Sequence, residues 1–442
     1  MNKELELSKS EELNKIGLYF VENEKYDEAL KYFKLAINED EKYLDAHYNI
    51  ALLYLITEEF EKSIQYYDMI IKNYPMEGYA YFQRGNLYYH VDNNLEEAIK
   101  MYNKAMFLGE KDINLFYNLG QCFFDMKNYE QSISWIERAI RLNDSRSDLY
   151  NKKASSLIEL GRFEEALECY DKALMIEFDN EEANHFKAIV LGEIGKEKDA
   201  FNLLDNVESI VGRKLLYSYD RALLFEKLGQ LENALKELEI CEEIEKYNLE
   251  VLKKKALIYL ALEDTVNALK TYDYILENDI NNFEIIFSKA NIYMMTKEYK
   301  AAYEMFKKII IHADKEDPYK INSYYYKALA LKLDGDSKFL DEYEEASREY
   351  SKLLLYYPYD FNLYMLKGNS LRDIDKNKEA EEAYKYAMDL NSDMAELYIM
   401  RAKNRIKLGN VKGVKEDIDN AISLQDYFKK LIEEDDDLKL YI

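Results

Sequence analysis

The sequence predicts an all-α protein in which short antiparallel helix pairs stack as an α-solenoid. Three observations predict this fold class. Small residues recur at a nearly constant interval, with large apolar residues at fixed distances from them. The 442 residues include only three prolines, so helices can run almost throughout. The composition, 48% apolar and 33% charged, is that of a folded chain. Because a solenoid has no single core, this length does not require several globular domains.

The first repeated feature is a column of twelve small residues. Of the eleven intervals between them, eight are 34 residues long and the others are 35, 38 and 40. The column consists of Gly17, Ala51, Gly85, Gly120, Ala154, Ala188, Ala222, Ala256, Ala290, Ala328, Gly368 and Ala402. A period of this length is typical of repeats made of two helices, here called A and B.

A second column of mostly small residues follows, in most repeats twelve residues later, and opens helix B. A large apolar residue comes four positions after each of its members, as Phe33 follows Ala29 and Tyr102 follows Ala98. Spacings of three and four place these residues on one helical face, so small residues let two helices approach and large ones fill the space. Glycines between A and B predict a left-handed backbone at Gly161, Gly195, Gly229 and Gly409.

These columns resemble the tetratricopeptide repeat family, whose period is 34 residues. The resemblance covers about twelve repeats over residues 10–428, with an N-terminal extension at 1–9 and a C-terminal capping helix and acidic tail at 429–442. It implies a right-handed superhelix with the A helices on its concave face. Two insertions relative to the 34-residue period are expected to lengthen connections between helices. One is the segment around Pro318 between two repeats, and the other is residues 334–341 in a hairpin turn.

The resemblance also implies that the second, fifth, sixth and ninth positions of each A helix face the concave groove. In early repeats these positions hold amides and aromatics, which suit an extended peptide. The predicted binding residues are Tyr48, Asn49, Tyr79, Phe82, Gln83, Asn86, Tyr117, Asn118, Gln121, Asn151 and Lys152. The alternative is that these side chains only pack against neighbouring helices. A second, weaker set consists of Phe287, Asn291, Asn322, Tyr325, Tyr326, Met365 and Asn369.

Some family members bind a C-terminal carboxylate with basic residues and asparagines at set groove positions. Asn86 and Asn118 match the asparagines. However, Phe82 stands where the first lysine belongs, and Asp148 and Lys152 replace the last basic pair. Binding of a C-terminal carboxylate is therefore not predicted.

Charge and motifs argue against several other functions. A net charge of −26 repels nucleic acid and acidic membrane surfaces. The N-terminus has no apolar signal region and the chain has no apolar run of membrane-spanning length, so a cytoplasmic protein is expected. The three cysteines, Cys122, Cys169 and Cys241, are too widely spaced for a disulfide framework or zinc site and are expected to be reduced. No HExxH, GxSxG, CxxC or glycine-rich phosphate loop occurs, so no catalytic, metal or cofactor residues are predicted.

The most direct interpretation is a scaffold or adaptor, not an enzyme, that binds a peptide or protein segment in the groove. Two alternatives stay open. One is a peptide-sensing regulatory subunit of a separate effector. The other is a structural protein that self-associates through its ends or through the more apolar middle of the groove, around Phe186, Ile189, Leu216 and Leu223.

Overall fold

The computed structural model describes residues 8–442. The predicted N-terminal extension therefore lies outside the described residues, except for Ser8, which caps the first helix, and Lys9, which begins it. Within residues 8–442 the regular secondary structure is entirely helical. The chain divides into two compact units, the first ending at Leu224 and the second beginning at Phe225.

The first unit contains six consecutive helix pairs and most of a thirteenth helix; odd numbers are A helices and even numbers are B helices. The helices are α1 (Lys9–Glu22), α2 (Tyr26–Glu39), α3 (Leu44–Ile56), α4 (Phe60–Asn73), α5 (Gly78–His90), α6 (Leu95–Phe107), α7 (Ile113–Asp125), α8 (Tyr129–Leu142), α9 (Ser147–Glu159), α10 (Phe163–Ile176), α11 (Glu181–Glu193), α12 (Glu197–Val211) and α13 (Leu215–Lys227). The boundary between the units falls within α13.

The second unit continues the same alternation. Its helices are α14 (Leu231–Ile244), α15 (Leu249–Ala261), α16 (Thr265–Asn278), α17 (Phe283–Met295), α18 (Tyr299–His312), α19 (Pro318–Asp334), α20 (Phe339–Leu353), α21 (Phe361–Asp373), α22 (Asn377–Leu390), α23 (Ala395–Lys407), α24 (Val411–Leu424) and α25 (Tyr427–Glu434). A turn of 3-10 helix follows at Lys439–Tyr441.

Within each unit the helices pack in consecutive pairs, for example α1 with α2 and α21 with α22, which confirms the predicted all-α architecture. The predicted columns form the cores of the pairs. In the pair of α5 and α6, Tyr102 is fully buried against Gly85, and a Cβ on Gly85 would lie 2.6 Å from Tyr102 Cε1. The small residue is therefore needed because the aromatic ring occupies the space beside the A helix.

The turns within the pairs have the predicted left-handed backbone. Gly161, for example, has φ of 71°. Some repeats hold the same conformation without glycine, as at Glu263, where φ is 60°. This conformation is strained for residues with a side chain.

We expect Gly161→Ala to lower the free energy of unfolding by about 1 kcal/mol, since alanine at positive φ brings Cβ close to the carbonyl oxygen. The matched change Glu263→Gly, at the equivalent turn, removes that strain but makes the unfolded chain more flexible, so little net change is expected. Urea unfolding followed by circular dichroism measures both. Equal effects of the two substitutions would show that backbone strain does not govern these turns.

Two segments that were predicted to lengthen connections instead lengthen helices. Pro318 is the first residue of α19, and Asp317 caps that helix by accepting from the backbone N–H groups of Tyr319 at 2.8 Å and Lys320 at 3.2 Å. Helix α20 begins seven residues before Ala346, whereas α2 begins three before Ala29. Only residues 335–338 remain as a turn, because each residue added to an existing helix gains a backbone hydrogen bond without a new nucleation cost.

A recurring ion pair joins successive helix pairs. The residue just before the first small column is a cation in nine repeats. Five of these cations bind a carboxylate sixteen residues earlier, on the preceding B helix: Arg84 with Asp68, Lys153 with Glu137, Lys187 with Asp171, Arg221 with Asp205, and Lys289 with Asp273. Three others use different carboxylates: Lys255 with Glu242, Lys327 with Glu345, and Arg401 with Asp417. Sequence reasoning missed this contact, although the sixteen-residue spacing could have indicated it.

The end of the second unit is covered by α25, which begins at Tyr427, and by Leu438, which follows it in the predicted C-terminal segment 429–442. Phe428 and Ile432 of α25 and Leu438 are buried in one cluster with Val414 and Ile418 of α24. These contacts remove from water an apolar face that the last pair would otherwise expose, which is the role expected of a terminal helix in a repeat array.

Candidate functional site

All eleven predicted binding residues lie on four successive A helices of the first unit: α3, α5, α7 and α9. Neighbouring A helices contact one another directly, α5 with α7, α7 with α9, and α9 with α11. Side chains at equivalent positions of these helices can therefore interact across repeats. We call these eleven residues the A-helix face.

Three amides of the A-helix face form one hydrogen-bonded network. Asn118 Nδ2 donates to Asn86 Oδ1 at 2.8 Å, and the Tyr102 hydroxyl donates to the same oxygen at 2.9 Å. Asn86 Nδ2 in turn donates to Gln83 Oε1 at 3.1 Å. Both the oxygen and the nitrogen of the Asn86 amide are therefore hydrogen-bonded, and these bonds also fix the side chains of Asn118 and Gln83. Asn118 Oδ1 and Gln83 Nε2 make no hydrogen bond within residues 8–442, so an acceptor and a donor remain available beside the network.

A second amide pair links the first two A helices. Asn49 Nδ2 donates to Asn14 Oδ1 at 2.8 Å. Sequence reasoning did not include Asn14, although it occupies the fifth position of the first repeat when that repeat is counted from Ser10. The structure therefore extends the row of amides one repeat further toward the N-terminus.

On the other side of the network, Asn151 is almost completely buried, with 1% of its surface exposed. Its Nδ2 donates to Asn180 Oδ1 at 3.0 Å and to Glu182 Oε2 at 3.1 Å, joining α9 to α11. Asn151 Oδ1 is buried without a partner in the described part of the chain. Asn151 therefore holds α9 against α11 and offers almost no surface to a ligand.

The next two A helices are also joined by a polar contact, between His185 and Asp220, which sequence reasoning missed. His185 Nδ1 lies 2.8 Å from Asp220 Oδ1, between α11 and α13. Asp220 is buried, and this burial raises the pKa of its carboxyl, although His185 and Arg221 act against the shift. The two residues are 35 positions apart, one position more than a repeat, which is the signal that could have revealed them.

The aromatic members differ in how much surface they offer. Tyr48 and Tyr79 are half-buried, and their rings meet edge to face with centroids 5.2 Å apart. Tyr117 is also half-buried, with the Arg146 guanidinium 5.8 Å from its ring centroid. Phe82 is only 6% exposed and packs against Tyr102, so this member of the A-helix face is part of the buried core. The Tyr48 hydroxyl is buried and, among the described residues, has no hydrogen-bond partner.

Lys152 is the one cation among the predicted residues. Its Nζ lies 4.2 Å from the ring centroid of Phe124, and it forms no ion pair with a residue of the described chain. Burial lowers the pKa of this amine, against the raising effect of Asp125 and Glu182. Gln121 Nε2 donates to Asp125 Oδ1 at 3.3 Å. A half-buried amine without a carboxylate partner can pair with an acidic group or a carbonyl oxygen of a ligand.

The second, weaker set of predicted residues lies in the second unit and is largely engaged in internal contacts. Phe287 packs edge to face against Tyr326, with ring centroids 5.7 Å apart. The Tyr325 hydroxyl donates to Asp373 Oδ2 at 3.1 Å, and the buried Asn369 accepts from the Tyr384 hydroxyl at 2.7 Å. These contacts favour a structural role for the set.

Within residues 8–442, no three or more His, Cys, Asp or Glu side chains are grouped so that they could hold a metal ion. Nor does any helix of this region combine the length and the apolar character that crossing a membrane would need. The cysteines are free and buried, and burial raises the pKa of the Cys122 thiol to about 12.

Comparisons with known proteins agree with the repeat architecture. A family model described as tetratricopeptide repeat matches residues 14–77, and one described as anaphase-promoting complex, cyclosome, subunit 3 matches residues 91–173. A TPR repeat-containing protein of Methanocaldococcus jannaschii is 31% identical over 109 residues. That match covers 25% of this chain and 19% of the relative, so the chain spans about a fifth of the length of the curated protein it matches.

Several solved structures are similar over part or most of the chain. YrrB, described as a TPR protein with an unusual peptide-binding site, is 23% identical, with a TM-score of 0.37, and the match covers 42% of this chain and 95% of YrrB. Yeast Tom70 is 15% identical, with a TM-score of 0.43, and the match covers 95% of this chain and 99% of Tom70. MamA is 21% identical, with a TM-score of 0.35 and coverage of 36% and 93%.

The region matched by the tetratricopeptide repeat model covers most of the first two helix pairs, and the same columns of small and large residues recur through the later pairs. Those columns form the buried cores of both units. The chain belongs to the tetratricopeptide repeat family.

Proposed function

We propose that the A-helix face of the first unit binds an extended segment of a protein or peptide partner, and that the protein works as an interaction scaffold or adaptor. The observation that supports this most is the amide network of Asn118, Asn86 and Gln83. Its side chains are held in place before any ligand arrives, so little conformational entropy is lost on binding.

An extended peptide backbone suits this network. Such a backbone presents both N–H donors and C=O acceptors along its length, and side-chain amides can bond to either. Asn118 Oδ1 is an available acceptor, and Gln83 Nε2 is an available donor. Neither atom is used within residues 8–442, so contact with a ligand would not break the internal network.

The neighbouring side chains favour a partner of mixed character. The rings of half-buried Tyr48, Tyr79 and Tyr117 offer flat surfaces, which bind apolar side chains with little loss of entropy. Lys152 favours an acidic group or a carbonyl oxygen near its end of the face. The proposal includes a binding role without catalysis. It also includes a cytoplasmic location, because the acidic composition and the widely spaced cysteines favour that location.

The test is capture of partners with the tagged full-length protein and with a variant carrying Asn49→Ala, Asn118→Ala and Lys152→Ala. A captured partner is then titrated by calorimetry against both proteins. Two lost hydrogen bonds and one lost cation, at about 1 kcal/mol each, predict an affinity roughly a hundredfold weaker for the variant.

The matched control carries Asn38→Ala, Asn103→Ala and Lys111→Ala, which remove the same residue types from exposed positions off the A helices of the first unit. Circular dichroism must show equal helicity for all three proteins. Loss of affinity in the control alone, or equal affinity in all three, would rule out the A-helix face as the binding surface. A concentration-dependent mass without any partner would instead favour self-association.

A further inference from the structure

Lys367 breaks the recurring ion pair between helix pairs. It precedes Gly368 in the first small column, as Lys289 precedes Ala290 and Arg84 precedes Gly85. Sixteen residues earlier, where six of the other eight repeats with a cation in this column have an aspartate or glutamate, this repeat has Ser351. Of the nine cations in this column, the other eight pair with a carboxylate. Lys367 forms neither an ion pair nor a hydrogen bond with any residue of the described chain.

Lys367 also lacks the aromatic neighbour that several of its counterparts have. Arg84 lies over the ring of Tyr88, four residues later, at 3.8 Å from its centroid, and Lys289 lies over Tyr293 at 5.8 Å. The residue four positions after Lys367 is Leu371. Lys367 is nevertheless half-buried, and a cation removed from water without a partner is unfavourable.

A cavity of about 440 Å³ opens beside Lys367. Helices α20, α21 and α22, all in the second unit, form its walls. Arg348 also lines it and makes no ion pair within residues 8–442, whereas Lys376 is paired with Glu344 at 2.7 Å. One wall is aromatic, because the rings of Tyr364 and Tyr386 stack with centroids 5.4 Å apart.

We propose that this cavity binds a carboxylate side chain, aspartate or glutamate, of an acidic segment in a protein partner. The bound carboxylate pairs with Lys367. It takes the place of the acidic side chain that this repeat lacks at Ser351. Arg348 gives a second donor, and the tyrosine wall contacts the residue next to the acidic one. The site belongs to the second unit and does not depend on the function proposed for the A-helix face of the first unit.

The lining favours a single carboxylate over a phosphate group. In the equivalent repeats the partner of the column cation is an aspartate or glutamate. Glu379 and Glu382 also line the cavity, and their charges would repel a dianion more strongly than a monoanion. A peptide carboxylate therefore fits both the geometry and the charge of the site.

The test uses N-acetylglutamate α-amide, which carries one side-chain carboxylate, and its neutral glutamine analogue, both titrated into the full-length protein and followed by ligand-detected NMR at constant ionic strength. The parent protein is expected to bind the carboxylate saturably and to ignore the glutamine analogue. Ser351→Glu, which restores the missing acid, should weaken binding at least tenfold and raise the melting temperature. Lys367→Gln should weaken binding similarly.

The control variant Lys385→Gln removes an exposed lysine of α22 that lies outside the cavity, and it should bind as the parent does. Circular dichroism verifies that each variant is folded. The proposal is overturned if the parent shows no saturable binding, or if Ser351→Glu binds as well as the parent. Tighter binding of inorganic phosphate than of the carboxylate probe would overturn the assignment of the ligand.

Discussion

Replacing Tyr102 by alanine is expected to lower the free energy of unfolding of the first unit by about 3 to 5 kcal/mol, because it leaves a cavity where a fully buried aromatic ring packs. The ring fills the space beside Gly85, which has no side chain to take its place. The substitution also removes the hydroxyl that holds Asn86 in the amide network. Urea unfolding followed by circular dichroism measures the loss.

Two further substitutions separate packing from hydrogen bonding. Tyr102→Phe keeps the ring and should cost only about 1 kcal/mol for the hydrogen bond to Asn86. Phe107→Ala removes an aromatic ring of the same helix that is 81% exposed, so it should change stability by no more than about 0.5 kcal/mol. A loss for Tyr102→Ala no larger than that for Phe107→Ala would contradict the assignment of Tyr102 to the core.

Asp373→Ala is expected to destabilise the second unit by about 3 to 5 kcal/mol, since it leaves the buried guanidinium of Arg372 without its carboxylate. The Asp373 side chain is 8% exposed, and its Oδ1 lies 3.2 Å from Lys332 Nζ and 3.4 Å from Arg372 Nε. It also accepts a hydrogen bond from the Tyr325 hydroxyl. The matched change Glu304→Ala breaks an exposed ion pair with Lys307 and should cost less than about 1 kcal/mol.

The effect of Asp373 should also depend on pH. Burial by itself would raise the pKa of its carboxyl, but the charges of Arg372 and Lys332 lower it below the usual value. A lowered pKa in the folded state means that the stabilisation is present above the unfolded pKa of about 3.9 and is lost as the pH falls through the folded value. The stability difference between the parent and Asp373→Ala should therefore shrink below about pH 4, and a constant difference down to pH 2 would contradict this account.

Local features of the fold could be predicted from the sequence because the same residue types recur at equivalent positions in each repeat. The small residue at Gly85, the ring of Tyr102 and the left-handed turn at Gly161 all follow from positions within one helix pair. The insertion at residues 334–341 could not be predicted in the same way. Spacing shows that residues were added, but only the structure shows that they extend α20 by about a turn.

The candidate site was predictable only in part, for a physical reason. The period places Asn86 and Asn118 on facing helices, yet whether their amides meet depends on the register between helix pairs. Burial depends on the same register: Phe82 and Asn151 occupy predicted groove positions but are almost completely covered by neighbouring repeats. The partner of Asn49, Asn14, belongs to the first repeat, where sequence reasoning placed no binding residue.

Site-specific photocrosslinking can show directly whether the A helices of the first unit contact the partner. A photoreactive phenylalanine analogue is placed at Gln121 on α7, and, in a control protein, at exposed Asn103 on α6. Both proteins are irradiated with the captured partner, and the products are mapped by mass spectrometry. Crosslinks are expected from position 121 and none from position 103. Crosslinks from position 103 alone would place the interface on the B helices and contradict binding at the A-helix face.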